Sequence, residues 1–403
     1  MRLSRNLVHA ALAGLALTFA APACSDDPSP DPTPKTEVEK EPTIDQAELR
    51  MAVRALFEDR VAWTRVYLVE TVADLPGKQA AAARLIANGD ALGEAIVPFY
   101  GQEAGDALAG MLNAAVGHAA AAVDAALVGD MDGFAAAREA WYGEADAVAS
   151  FLAGANDAWN EAEVAALLHG CIDDAVAEAT ASMGDDMAGG LAAFEAHQIK
   201  ARAIADALAA GIASQFADDI GEVEVTAHQA ELRVAMRDLF FERATFVRMF
   251  LLDAIEELPS YEASVGRLLQ NDADIGDAVR PFYGDEAADA LRSLLDAGLE
   301  DAAAAVAAAK AGDMQGFEDA KQRWLDHADE TAVFLAGANP AWPEADLKAL
   351  LRTCVEDAIG EASARLGGDY TADGGLLLAA GARVQVVAAA LGAGVAAQFP
   401  AEK

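Results

Sequence analysis

The chain has 403 residues, 54% hydrophobic and 23% charged, with only 6% aromatics and a formal net charge of -38. A surface this acidic repels nucleic acid and anionic lipid headgroups, so neither is an expected partner. The acids are spread along the chain rather than gathered in a block, which reads as a solvated surface, with a reservoir for hard cations as the sharper alternative.

Residues 1–24 read as a lipoprotein signal peptide. Arg2 and Arg5 open it, Leu7–Ala20 is apolar but short for a bilayer span, and Ala21-Pro22-Ala23-Cys24 closes it. Cleavage before Cys24 leaves that cysteine for lipid attachment; the same bond also fits an ordinary A-x-A site for plain secretion. The first outcome makes the protein extracytoplasmic and anchored through a lipid on Cys24, in the bacterial cell envelope and by expectation on its outer membrane. Residues 25–44 form a tether in which Pro28, Pro30, Pro32, Pro34 and Pro42 forbid helix. At about 3.1 Å per residue such a spacer reaches roughly 60 Å.

Beyond the tether the chain repeats itself. Phe151–Trp159 reads FLAGANDAW and Phe334–Trp342 reads FLAGANPAW, 183 positions apart. At the same offset Arg54, Arg60 and Arg65 return as Arg237, Arg243 and Arg248, Pro98-Phe99-Tyr100-Gly101 as Pro281-Phe282-Tyr283-Gly284, Cys171 as Cys354, and Gln215-Phe216 as Gln398-Phe399. The register never slips, so the expectation is a whole-domain duplication, with a first copy over 45–217 and a second over 228–400, rather than a short-period solenoid.

Breakers divide the first copy into about six helices, expected near 46–74, 78–97 with Pro98 as the stop, 102–128, 132–155, 161–183 and 187–216. No run of alternating β-branched residues reads as a strand. The fold class expected is all-α, as two tandem antiparallel helical bundles.

The first helix is apolar around more than one stripe, which makes it central, and Arg60 falls within that face together with Val53, Leu56 and Phe57. An arginine on a core face needs a carboxylate, because a lone buried charge costs several kcal/mol. Helix five offers Cys171, Asp174 and Glu178 at i, i+3, i+7, and the second copy offers Arg243 with Cys354, Asp357 and Glu361. One reading has the cysteines as small core residues and the acids as partners of Arg60 or Arg65. The other is a polar pocket in each bundle in which arginine grips a small anion, or in which the acids and thiol hold a cation. No histidine after the tether is shared: His118, His169 and His197 stand opposite Asp301, Arg352 and Ala380, and His327 opposite Glu144. No imidazole-based metal site can therefore be common to both copies. Nucleophile elbow, phosphate loop, HExxH and CxxC motifs are missing, so no cofactor is expected and no catalytic constellation is visible.

Trp63-Thr64-Arg65, Arg84 with Asn88, Pro98–Gly101, Ala145-Asp146, Ala155–Trp159 and Gln398-Phe399-Pro400 together resemble the motifs of a family of uncharacterised bacterial helical proteins. The names acetylglutamate kinase and glycosyltransferase are sometimes attached to that family, though neither a kinase sheet nor a nucleotide loop is legible here. The resemblance implies an all-helical domain without an agreed activity. It also implies histidines near the positions of Arg60 and Cys171 in relatives, hence a metal site given up in this chain. The function expected is a non-enzymatic envelope lipoprotein with a structural or partner-binding role, whose partner is another envelope protein; the alternative is an extracytoplasmic binder of a small ligand, anion or cation.

Overall fold

The computed structural model describes residues 45–220 and 227–399, so the expected leader, tether and lipid-bearing Cys24 lie outside the described residues. Within them the chain is helical throughout and forms no strand. In chain order the helices are α1 (Gln46–Val72), α2 (Lys78–Tyr100), α3 (Gln102–Leu127), α4 (Met131–Ala155), α5 (Glu161–Met183), α6 (Met187–Gln215), α7 (Ala227–Glu256), α8 (Tyr261–Ala311), α9 (Met314–Ala338), α10 (Glu344–Leu366) and α11 (Tyr370–Gln398).

Acidic caps start five of them. Asp45 accepts from the Glu48 backbone N–H while Glu48 reaches back to Asp45, a capping box, and Asp130, Asp186, Asp313 and Asp369 each accept from a first-turn N–H. The shared Asp186 and Asp369 are thereby accounted for. Pro98 does not stop α2 as expected: the helix carries it and ends only at Gly101, whose φ of 86° is open to glycine and costly for other residues. Proline removes one donor, which a helix in its last turn tolerates. Gly284 breaks α8 at the same place, with φ 81° beyond Pro281.

Each helix packs on its successor except α6, which returns to α1 instead, and α11 returns to α7. Helix α1 touches α2, α3, α5 and α6 and also α7, so the breadth of its apolar face reflects real neighbours on several sides. One buried cluster draws on helices from both stretches of the chain. Trp63 and Phe194 belong to one buried cluster with Phe246 and Phe250, and Phe194 meets Phe246 edge to face at 5.7 Å.

Buried ion pairs cross the same seam. Glu58, fully buried on α1, accepts from Arg202 Nε of α6 at 2.6 Å and faces Arg237 Nη1 of α7 at 2.7 Å. Glu70 at the other end of α1 is met by Arg365 Nη1 of α10 at 2.8 Å, both side chains 1% exposed. Arg365 also contacts Asp373 and Glu256. Around Glu58 sit Arg54 and Asp238, themselves paired at 2.6 Å, with Asp206 bridging Arg50 and Arg54. Burial works to raise the Asp206 carboxyl, but hydrogen bonds from Arg54 and Arg50 outweigh it and bring it down to about 2.

Removing one member of such a pair leaves the others charged and dry. Arg365→Met is expected to cost about 3–5 kcal/mol, read as a lowered urea midpoint. Arg280→Met, which strips an exposed arginine from Asp277, Asp285 and Asp289, should leave the midpoint almost unchanged.

Candidate functional site

Two cavities open inside the helices, and their walls share many positions at the 183-residue offset. Phe57, Arg60, Leu112, Trp141, Leu168 and Cys171 line the first; Phe240, Arg243, Leu295, Trp324, Leu351 and Cys354, each 183 positions on, line the second. The first holds about 100 Å³ and the second about 150 Å³. The second has Gly298 where the first has Ala115, and the Trp324 ring leaves room beside that glycine. Both linings are mainly apolar. A cavity of about 150 Å³ admits a molecule of benzene's size.

In the first cavity Arg60 Nη2 donates to the Leu112 carbonyl of α3 at 2.9 Å. Its Nη1 is buried and has no hydrogen-bond partner, and Arg60 makes no ion pair with any described residue. Burial lowers Arg60 to about 10, the nearby Cys171 opposing weakly, so it remains a cation at neutral pH. His197 of α6 also lines the cavity, 8% exposed, with Nδ1 unpartnered. Burial, with the charges of Arg60 and Lys200, lowers it to about 3, so its imidazole is neutral. The Glu144 side of the wall approaches His118 at 3.9 Å.

The residues expected to form one face thus part company. Cys171 faces the cavity with Arg60. Asp174 is taken by Lys200 of α6, an ion pair closer than usual. Glu178 is taken by Arg65, Nη1 to Oε1 at 2.7 Å, with Arg65 also over the Phe194 ring. The second half repeats the division: Asp357 pairs with Arg383, and Glu361 with Arg248 at 2.7 Å. There the Arg248 network also takes in Asp373, and Glu361 reaches the cavity wall. Cys171 and Cys354 are free thiols, each raised to about 12 by burial and by the neighbouring Asp174 or Asp357. Burial thus keeps both in the thiol form at neutral pH, which makes them poor nucleophiles. Among the described residues no group of three or more His, Cys, Asp or Glu converges as metal ligands, and no helix is long and apolar enough to cross a membrane.

The motif residues have a different task. Tyr100 Oη donates to Gln215 at 2.9 Å and accepts from Asn156 Nδ2 at 3.0 Å; Tyr283, Gln398 and Asn339 repeat this at 3.0 and 2.9 Å. Trp159 Nε1 donates to the Ala207 carbonyl and Trp342 Nε1 to that of Ala390, both at 3.1 Å. The indoles lie so close to Gly211 and Gly394 that a Cβ at either position would overlap them. These contacts tie α2, α4 and α6 together at one end, and α8, α9 and α11 in the second half. The shared Asp146 and Asp329 are paired, with His169 at 2.9 Å and Arg352 at 3.0 Å.

Comparison with protein-family models, with curated proteins and with solved structures gives no match.

Burial raises Glu178 and Glu361 to about 7 even against their arginines. Unfolded, these groups ionise in the usual carboxylate range, near 4.3. Between the two values the folded chain holds more protons, so their contribution to stability is present at low pH and is lost as pH rises toward 7. A Glu178→Gln, Glu361→Gln double variant should show a flatter fall in melting temperature from pH 5 to 7.5 than the wild type, measured by calorimetry.

Proposed function

We propose that the protein is a non-enzymatic envelope lipoprotein built from two helical bundles of common origin, and that it binds small ligands in its two matched cavities. The observation that carries this reading is the correspondence of the cavities. Arginine, cysteine and tryptophan recur at the same offset in walls otherwise made of apolar side chains. Arg60 is buried without a carboxylate partner, and such a charge costs stability that a ligand meeting it would restore. The common origin is supported by contacts that recur across the 183-residue offset: Arg65–Glu178 with Arg248–Glu361, Lys200–Asp174 with Arg383–Asp357, and Asn88 to the Leu56 carbonyl with Asn271 to that of Leu239. The likeness to the helical family belongs to the same proposal, since its motif residues Tyr100, Asn156, Trp159 and Gln215 are those that close the bundle end.

Ligand binding is tested by thermal melting of the whole mature chain against small carboxylates, amines, alcohols and divalent cations. A cavity ligand at about a hundredfold its Kd adds roughly 2.7 kcal/mol. That is several degrees for a chain of this size. Arg60→Met should lose the shift for any ligand held by its charge. No shift with any class would leave a structural or partner-binding role in place of the cavities. The anchor is tested separately: Cys24→Ala should abolish palmitate labelling and release the protein from the membrane fraction, and unchanged partitioning would remove the lipid from the reading.

A further inference from the structure

We infer that the two cavities have opposite selectivity for charge: the Arg60 cavity takes a small monoanion, a carboxylate on a short apolar stem, and the Arg243 cavity takes an uncharged apolar molecule. This inference rests on the proposed ligand-binding function and assigns a ligand class to each site.

The difference lies in what faces the arginine. Arg243 contacts the carboxylate of Asp272, a fully buried residue of α8, and feels the charge of Asp296. Asp272 and Asp296 fall 183 positions after Gly89 and Asn113. In the first cavity both acids are therefore replaced, one by a hydrogen atom and one by a neutral amide. Arg243 carries its own counter-ion and Arg60 carries none. In a chain with 66 acids and 28 lysines and arginines, a carboxylate is the easiest partner to supply, so its replacement at this position leaves the charge free for something else.

The remaining groups fit that assignment. Arg60 Nη1 is buried without a partner and His197 Nδ1 likewise, so two polar atoms remain unsatisfied in the first cavity. A carboxylate has two oxygens and several lone pairs, and accepts from both once His197 holds its proton on Nδ1. A hydrogen bond between a guanidinium and a carboxylate is shorter and stronger than a neutral one. Tyr67, Val116 and Ile172 supply apolar wall for a short stem. A dianion is disfavoured, because Arg60 is the one cation on this wall and Glu144, which approaches His118, adds a negative charge there. In the second cavity Asp272 offsets the charge of Arg243, although Arg243 Nη1 too has no hydrogen-bond partner, and Trp324, Val247 and Leu294 offer apolar surface around the larger volume.

The tryptophans report each site separately, Trp141 in the first wall and Trp324 in the second. The mature chain is labelled with 5-fluorotryptophan, its resonances are assigned by Trp→Phe exchange, and it is titrated with butyrate, with butyramide as an uncharged probe of the same size, and with benzene. Butyrate should move the Trp141 resonance alone, at least tenfold more tightly than butyramide. Arg60→Met should weaken it at least tenfold. Benzene should move Trp324. Asp272→Gly with Asp296→Asn should bring Trp324 under the control of butyrate; if that variant does not fold, the wild-type and Arg60→Met titrations still decide. Butyrate moving both resonances alike in the wild type, or butyramide matching butyrate at Trp141, overturns the charge selectivity while leaving the cavities as binding sites. No movement of either resonance with any probe overturns the binding function as well.

Discussion

The structure depends on buried carboxylates of α1 being answered by arginines from elsewhere in the chain. Glu58 and Glu70 stand on one helix, some 12 residues and about 18 Å apart at 1.5 Å per residue. One is met by α6 and α7, the other by α10. A charge removed from water must be paired or the fold loses several kcal/mol. These pairs therefore permit very few placements of α7 and α10 against α1. Apolar packing alone is less selective in helices rich in alanine, whose small side chains fit in many registers. The aromatic edge between Phe194 and Phe246 then fills the seam that the charges have aligned.

Most of the fold was legible because helix breakers and the 183-residue repeat are local or self-comparing signals. The site was less so, for a geometric reason. Cys171, Asp174 and Glu178 share a face of α5, but along seven residues that face climbs about 10 Å. Three successive levels of the bundle meet it: Arg60 and the cavity at Cys171, Lys200 at Asp174, Arg65 at Glu178. Spacing along one helix gives the face and not the residue opposite at each height. Glu58 escaped notice because position 241, its counterpart, is phenylalanine; a comparison of the two halves emphasises what they share, and neither Glu58 nor its partner Arg202 is among it. The same blindness hid Gly89 against Asp272. An acid that has vanished leaves no motif to find.

The cavities themselves follow from composition. With few aromatics, the space between α1, α3, α4 and α5 is bordered by Ala115, Ala119 and Ala145, with Phe57, Tyr67 and Trp141 as the aromatic part of its wall. Closely packed small residues hold the helix ends firmly, as Trp159 against Gly211 illustrates, while leaving the middle underfilled. Voids that are mainly apolar stay dry. A guanidinium in one of them experiences a weakly screening medium, and any counter-charge is felt strongly.

One contact carries a history. His118 faces Glu144 at 3.9 Å, and at the matching positions Asp301 faces His327 at 2.7 Å, so imidazole and carboxylate have changed sides. On the proposed shared ancestry, that exchange took two steps, and the intermediates were unequal. Passing through two facing acids meant repulsion between like charges, whereas two facing neutral imidazoles could hydrogen-bond at pH 7. On that ancestry the double histidine is the less costly of the two intermediates.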